Sequence, residues 1–304
     1  MSKADEAMAK LPRVVCIGET VWDCFPDEKV LGGAPFNVAY TCQALGADAT
    51  MVSRVGPDSD GEAILARMKA AGMARDHIQT DPDHPTGRVE ITLSDSGEHD
   101  FNIIEDVAWD YIQWNDETQQ AMTEARAVCF GTLAQRHENS RRAIRRFLRE
   151  APQALKLYDV NLRQQYYDRD VLTTSLELAT VVKLNNDELQ VLKSFFPDAF
   201  EKGIEGFLHN YDLELLAVTR GSDGCALYRR DEKVELPGVD VTVVDTVGAG
   251  DAFAAMLMLM CLAGEPLRVI GQEANLLGAY VAAQRGATPN LADYKSTRRL
   301  GGCR

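Results

Sequence analysis

Short apolar runs rich in β-branched residues recur along the chain at positions 14–17, 51–55, 127–130, 156–160, 181–184, 215–219 and 241–244. Runs this short and this uniformly apolar predict strands buried on both faces. Between most of them lie stretches with helical spacing and a polar face. In residues 139–150 (NSRRAIRRFLRE), for example, Ile144, Phe147 and Leu148 share one side among arginines. Strand alternating with helix predicts an α/β fold in which a mostly parallel sheet is covered by helices on both faces, a three-layer sandwich. Two segments break the rhythm. Residues 24–31 and 86–104, the latter with two strand-like runs around a turn at 94–98, predict a small accessory sheet.

In an open parallel sheet, ligands bind beyond the carboxyl ends of the strands, so chemistry is sought just after each predicted strand. Those positions read Gly18 and Glu19, Gly131, Asn161, Asn185, Gly221 and Asp245, all small or polar. The last of them begins Asp245-Thr246-Val247-Gly248-Ala249-Gly250-Asp251, which opens an apolar helix near Ala252. Two glycines at a helix start let backbone N–H groups converge where the helix dipole adds positive potential, predicting an anion hole. A carboxylate beside such a hole suits a base that takes a proton from a hydroxyl while the hole stabilises a transferring phosphoryl group. An aspartate that merely caps a helix after a glycine turn has the same appearance. A dinucleotide fingerprint needs Gly or Ala where Phe253 stands, and no Walker lysine motif occurs in the chain.

Further patterns accompany it. Leu31-Gly32-Gly33-Ala34-Pro35-Phe36-Asn37 leads two glycines into a helix with proline in its first turn. Here a polyol could approach the backbone closely and Asn37 offers both a donor and an acceptor, although an ordinary loop-to-helix turn looks alike. Thr219-Arg220-Gly221-Ser222-Asp223-Gly224 separates two strand-like runs, as a hairpin turn does. Asn185-x-x-Glu188 reads either as a capping box or as a carboxylate that helps to hold magnesium or its waters beside phosphates. Asp159-Val160-Asn161-Leu162-Arg163 ends a strand with polar groups and a cation that could contact substrate or cap a turn.

Composition narrows the classes of partner. The 304 residues carry 46 acidic and 32 basic side chains, a formal net charge of -14, which argues against nucleic acid or an anionic membrane as partner. Seven cysteines without a C-x-x-C pair and five histidines without metal spacing fit buried thiols in a reducing cytosol. The N-terminus is too polar for a signal peptide, and the longest apolar run, 252–263, is far short of the roughly 20 residues that span a bilayer. The expectation is a soluble cytoplasmic protein with one body over residues 12–304 and a polar extension over 1–11.

In this order, GETVWDCFP, LGGAPFNVA, VGPDSDG, DVNLR, KLNNDE, TRGSDG, DTVGAGD and the closing Gly286-Ala287 resemble the PfkB (ribokinase-like) carbohydrate kinases, and among them the bacterial fructokinases, from about Val14 to Ala287. The resemblance implies a ribokinase-like α/β/α sandwich whose accessory strands, at about 24–31 and 86–104, form a β lid. It implies ATP-dependent phosphorylation of a sugar hydroxyl, D-fructose foremost, with Mg2+ and with K+ as a further ion. Asp251 matches the catalytic base, and the backbone of Gly248, Ala249 and Gly250 the anion hole. Asp23, Gly32, Gly33, Asn37, Phe101 and Arg163 fall on the sugar side. Asn185, Thr219, Gly221, Gly224 and Asn275 fall on the ATP side, Glu188 matches a magnesium-linked glutamate, and Asp245 an aspartate of potassium sites. Val247 stands where threonine is common, and Asn186 and Asp187 vary the stretch before Glu188. Lids in relatives often pair across a homodimer. Kinases for 2-keto-3-deoxygluconate, ribose or a nucleoside are the alternatives, the first because Arg163 suits its carboxylate. A sugar-sensing regulator without turnover has no need of Asp251.

Overall fold

The structure, a computed structural model, describes residues 12–93 and 99–301. The predicted turn at 94–98, the extension over 1–11 and Cys303 lie outside the described residues. Strands are β1 (Arg13–Ile17), β2 (Val21–Cys24), β3 (Lys29–Gly32), β4 (Asp48–Val55), β5 (Ile78–Thr80), β6 (Arg88–Leu93), β7 (His99–Ile103), β8 (Ala127–Gly131), β9 (Leu155–Asp159), β10 (Val181–Asn185), β11 (Leu215–Thr219), β12 (Cys225–Arg229) and β13 (Glu232–Leu236). One sheet runs β13-β12-β11-β10-β9-β8-β1-β4-β5. Every pairing from β5 to β11 is parallel, and β12 and β13 add an antiparallel edge.

Side-chain alternation explains the three layers. Val14 and Cys16 of β1 enter one apolar cluster, Val15 and Ile17 the other. The first cluster holds the buried faces of the helices Ala34–Leu45, Ser59–Ala70, Ala249–Leu262 and Leu267–Ala282. The second holds those of Glu138–Glu150, Arg169–Leu178, Asn186–Phe195 and Gly203–Asn210. Each large side chain fully buried in this way contributes about 1.5–3 kcal/mol. The helix Ala249–Leu262 is apolar all round because Ala252 through Leu259 are all buried. Gly278 lets its neighbour approach closely, since a Cβ there would lie 3.2 Å from the carbonyl oxygen of Ala249.

The valine run at 241–244 is not a strand. Val243 and Val244 are 58% and 62% exposed, and the N–H groups of Val244 and Asp245 donate to Ala282 O at the end of a helix (2.9 and 3.1 Å). With its backbone tied to a helix terminus, the run has no strand to pair with and serves as the approach to the next helix. The accessory strands form a separate sheet, β3-β2-β6-β7, with β2 and β6 parallel and both outer pairings antiparallel. Its first strand reaches back to Val21, which places Asp23 inside the sheet.

Candidate active site

The parallel strands end along one edge of the large sheet, and the helix Ala249–Leu262 starts there. Its N-cap, Gly248, has φ 80°, in the left-handed region, and a Cβ at this position would come within 2.5 Å of Ala287 Cα. Only glycine fits without strain. No side chain caps the helix, so the first-turn N–H groups, including those of Gly250 and Asp251, present their positive ends to the crevice. The helical ladder begins with Ala252 N–H donating to Gly248 O at 2.8 Å. Asp245 braces the preceding loop: its Oδ1 accepts from Val247 N and its Oδ2 from Gly286 N, both at 3.0 Å.

Asp251 projects from that first turn, and its Oδ2 accepts a hydrogen bond from Asn37 Nδ2 at 2.8 Å. Asn37 is buried in the first turn of Ala34–Leu45, which follows Gly33 (φ 107°) with Pro35 in its opening turn. A Cβ at Gly33 would strike Glu19 O at 2.4 Å, and one at Gly32 would strike Asp23 Oδ2 at 2.5 Å. Gly33 therefore lies flush against the main chain of Glu19, and Gly32 against the Asp23 carboxylate. Asp23, Gly32, Gly33, Asn37 and Asp251 are brought together, and Glu19 joins them.

The charges here are strained by burial. Glu19 is pushed up to about 7, chiefly by burial and further by Asp251, against the pull of N–H groups and Arg163. Asp23 is pushed up to about 6 by burial and Asp251, with Arg163 opposing. Asp251 is also raised, first by burial and then by Asp159, while Lys183, Asn37 and Arg163 pull it down. The exposed Arg163, whose Nη1 donates to Leu162 O (3.2 Å), thus acts on all three carboxyls. Phe101, half exposed on β7, sits on the same face of the small sheet as Asp23, and its carbonyl accepts from Gln164 Nε2 at 2.6 Å beside Arg163.

The remaining positions line the adjacent strand ends. Asn185 and Glu188 form a reciprocal capping box: Asn185 Oδ1 accepts from Glu188 N (2.9 Å), and Glu188 Oε2 from Asn185 N (2.8 Å). Glu188 Oε1 accepts from Leu162 N at 3.0 Å, fastening the DVNLR segment. Thr219 pairs in register with Asn185 and donates through Oγ1 to Leu184 O at 3.3 Å. Gly221 (φ 56°) and Gly224 (φ 90°) shape the hairpin between β11 and β12. Asn275 Nδ2 donates to Pro237 O at 3.2 Å, and a Cβ at Gly224 would meet the Pro237 carbonyl carbon at 2.4 Å, so these two positions converge on one residue. Among the described residues no group of three or more His, Cys, Asp or Glu is placed to hold a metal ion.

Two further charged residues belong to the crevice: Lys183, and Glu19, which stands at one of the strand ends where chemistry is sought. Lys183 Nζ donates to both carboxylate oxygens of Asp159 at 3.1 Å and lies 3.1 Å from where a Cβ of Gly250 would be. Glu19 is 3% exposed. The signal for Lys183 was its place as the single charge within an apolar strand, and for Glu19 its place after β1.

The sequence matches the pfkB family carbohydrate kinases over residues 3–293. It is 32% identical over 289 residues to a sugar kinase of Pyrococcus horikoshii, covering 90% of this chain and 89% of that one. Fructokinase-1 of Oryza sativa is 31% identical over 279 residues, 86% and 85% of the two chains. Among solved structures, a fructokinase of Xylella fastidiosa with bound ATP superposes with TM-score 0.84 over 95% of this chain and 99% of its own, at 22% identity, a likeness of fold. No described helix is long and apolar enough to cross a membrane.

Proposed function

Because the chain belongs to the pfkB family of carbohydrate kinases, we propose that it transfers the γ-phosphoryl group of ATP to a hydroxyl of D-fructose, with Asp251 as the base. The observation that carries this reading is the Asp251 carboxylate, held by Asn37 at a helix start whose glycines leave the N–H groups free of side-chain caps. Asp251 takes the hydroxyl proton, the sugar oxygen attacks the γ-phosphorus, and ADP departs on the opposite side. The N–H groups of the Gly248–Gly250 turn face the charge that spreads over the transferring oxygens. Asp23 and Asn37 accept and donate to sugar hydroxyls beside Gly32 and Gly33, with Phe101 and Arg163 at the rim. The small sheet acts as the lid that keeps water from the phosphate. Asn185, Thr219, Gly221, Gly224 and Asn275 border the nucleotide.

Magnesium fits this donor set as an ion held mainly by phosphate oxygens and water. Glu188 spends one bond per oxygen on backbone N–H groups, and no cage of carboxylates is present among the described residues. It would neutralise phosphate charge. Asp245, one N–H on each oxygen, keeps lone pairs for a potassium ion that would stiffen the loop.

Fructose is favoured because the crevice floor is carboxylic, Glu19 and Asp23, which suits hydroxyls, and because curated relatives include fructokinases. The second reading, a kinase for 2-keto-3-deoxygluconate, rests on the exposed guanidinium of Arg163. A coupled ADP-release assay with ATP and magnesium separates them, offering fructose, 2-keto-3-deoxygluconate, ribose, glucose and adenosine side by side. Preference for fructose supports the proposal; preference for the acid sugar replaces the substrate and keeps the mechanism. Asp251→Ala should lose at least about 10³-fold in kcat with ATP affinity within a few-fold, since the lost role is proton transfer. A loss of tenfold or less refutes the role.

A further inference from the structure

Lys183 has no part in the reaction as described, yet it sits where the charge of that reaction would build up. On β10 it is one cation among apolar residues, 7% exposed, in a strand covered on both faces. Burying an ammonium costs several kcal/mol unless it is paired, and an apolar pair of like volume would serve stability as well or better. Stability alone therefore does not account for it. On one side Asp159 binds it through both oxygens at 3.1 Å. On the other it abuts the backbone of Gly250, so closely that a side chain there would begin 3.1 Å from Nζ.

We propose that Lys183 is the buried cation of the phosphoryl-transfer site, stationed by Asp159 beneath Gly250 so that the first turn of Ala249–Leu262 carries a full positive charge in addition to its N–H groups. The inference rests on the kinase reading above. Lys183 is a positioning residue: it acts on Asp251 and on the field of the anion hole without needing to touch the sugar. The groups facing Asp251 are carboxyls at Glu19, Asp23 and Asp159, the cations Lys183 and Arg163, and the amide of Asn37. Glu188 adds a further carboxyl near Lys183. Without Lys183 the only remaining cation in that group is the exposed Arg163, and a triphosphate must still be accommodated. The same charge favours the ionised form of Asp251, which proton abstraction requires.

The test compares Lys183→Met, the neutral pair Lys183→Met/Asp159→Leu, Asp159→Asn and Asp251→Asn in the full chain. Folding is followed by circular dichroism, and kcat, KM and the pH profile of kcat/KM with fructose and ATP. Lys183→Met should lose about 10²-fold in kcat with the sugar KM within a few-fold, and its acid limb should move to higher pH. The neutral pair should fold as wild type does and remain slow. A neutral pair as fast as wild type, with an unmoved acid limb, overturns the proposal, because then the two charges serve packing only. If both Lys183 variants fail to fold, Asp159→Asn decides: a fall in kcat with the sugar KM within a few-fold supports the proposal, since Asp159 holds Lys183 in place, and an unchanged kcat overturns it. Asp251→Asn keeps the two readings apart. Turnover by it above about a tenth of wild type removes the base reading itself, whereas an inactive Asp251→Asn beside a fast neutral pair removes only the role of Lys183.

Discussion

Glu19 shows what a single side chain sets. Its carboxyl is 3% exposed at the end of β1 and lifted from about 4.5 to about 7, mainly by burial. The folded chain thus keeps a proton that the unfolded chain releases. With more protons bound in the folded state, stability falls as pH rises. The contribution is full below pH 4.5 and lost as pH climbs through 7, an effect on the order of 3 kcal/mol. Glu19→Gln should flatten that slope in denaturant titrations run from pH 5 to 8; an unchanged slope contradicts the assignment. Most of the crevice was legible residue by residue because its members sit in short local patterns, as Gly32, Gly33 and Asn37 do. Lys183 was not. Its meaning comes from Asp159 on the next strand and Gly250 on a distant helix, and nothing local in the chain records either neighbour.

Among elements, the start of Ala249–Leu262 depends most on one residue type. Gly248 combines a left-handed φ with a 2.5 Å approach to Ala287. Gly248→Ala should cost about 1–3 kcal/mol from the backbone alone, more from the contact, and should lower kcat further than KM by displacing Asp251 and the N–H groups behind it. Chemical denaturation and steady-state kinetics on the same preparation check both halves. The strands of the large sheet were legible because burial on both faces demands continuous apolar runs. The same rule misread 241–244, where exposed valines satisfy the pattern while their N–H groups go to Ala282 O. β5 went unread because three residues, Ile78–Thr80, are too few to form a pattern.

At the scale of the molecule, the small sheet is moored to the body at Asp60, on the helix Ser59–Ala70. Lys29 of β3 (3.0 Å) and Arg88 of β6 (2.6 Å) donate to its carboxylate, and Trp22 Nε1 of β2 donates to its carbonyl oxygen at 3.0 Å. Both cations are half exposed, so each ion pair is worth about 1 kcal/mol or less. Asp60→Ala should therefore leave the melting temperature within a few degrees while raising the sugar KM several-fold and the sugar-independent hydrolysis of ATP. Phosphate release measured without sugar is the direct readout, and a rate equal to wild type counts against the lid. The hydrogen bond from Asn37 to Asp251 joins residues 214 positions apart. A contact of such sequence separation closes a large loop and is slow to form. In a refolding experiment the regain of turnover should trail the regain of helical signal. With Asp251 as the proposed base, a nascent chain still lacking residues beyond 250 should be catalytically silent on the ribosome however much of its sheet has formed.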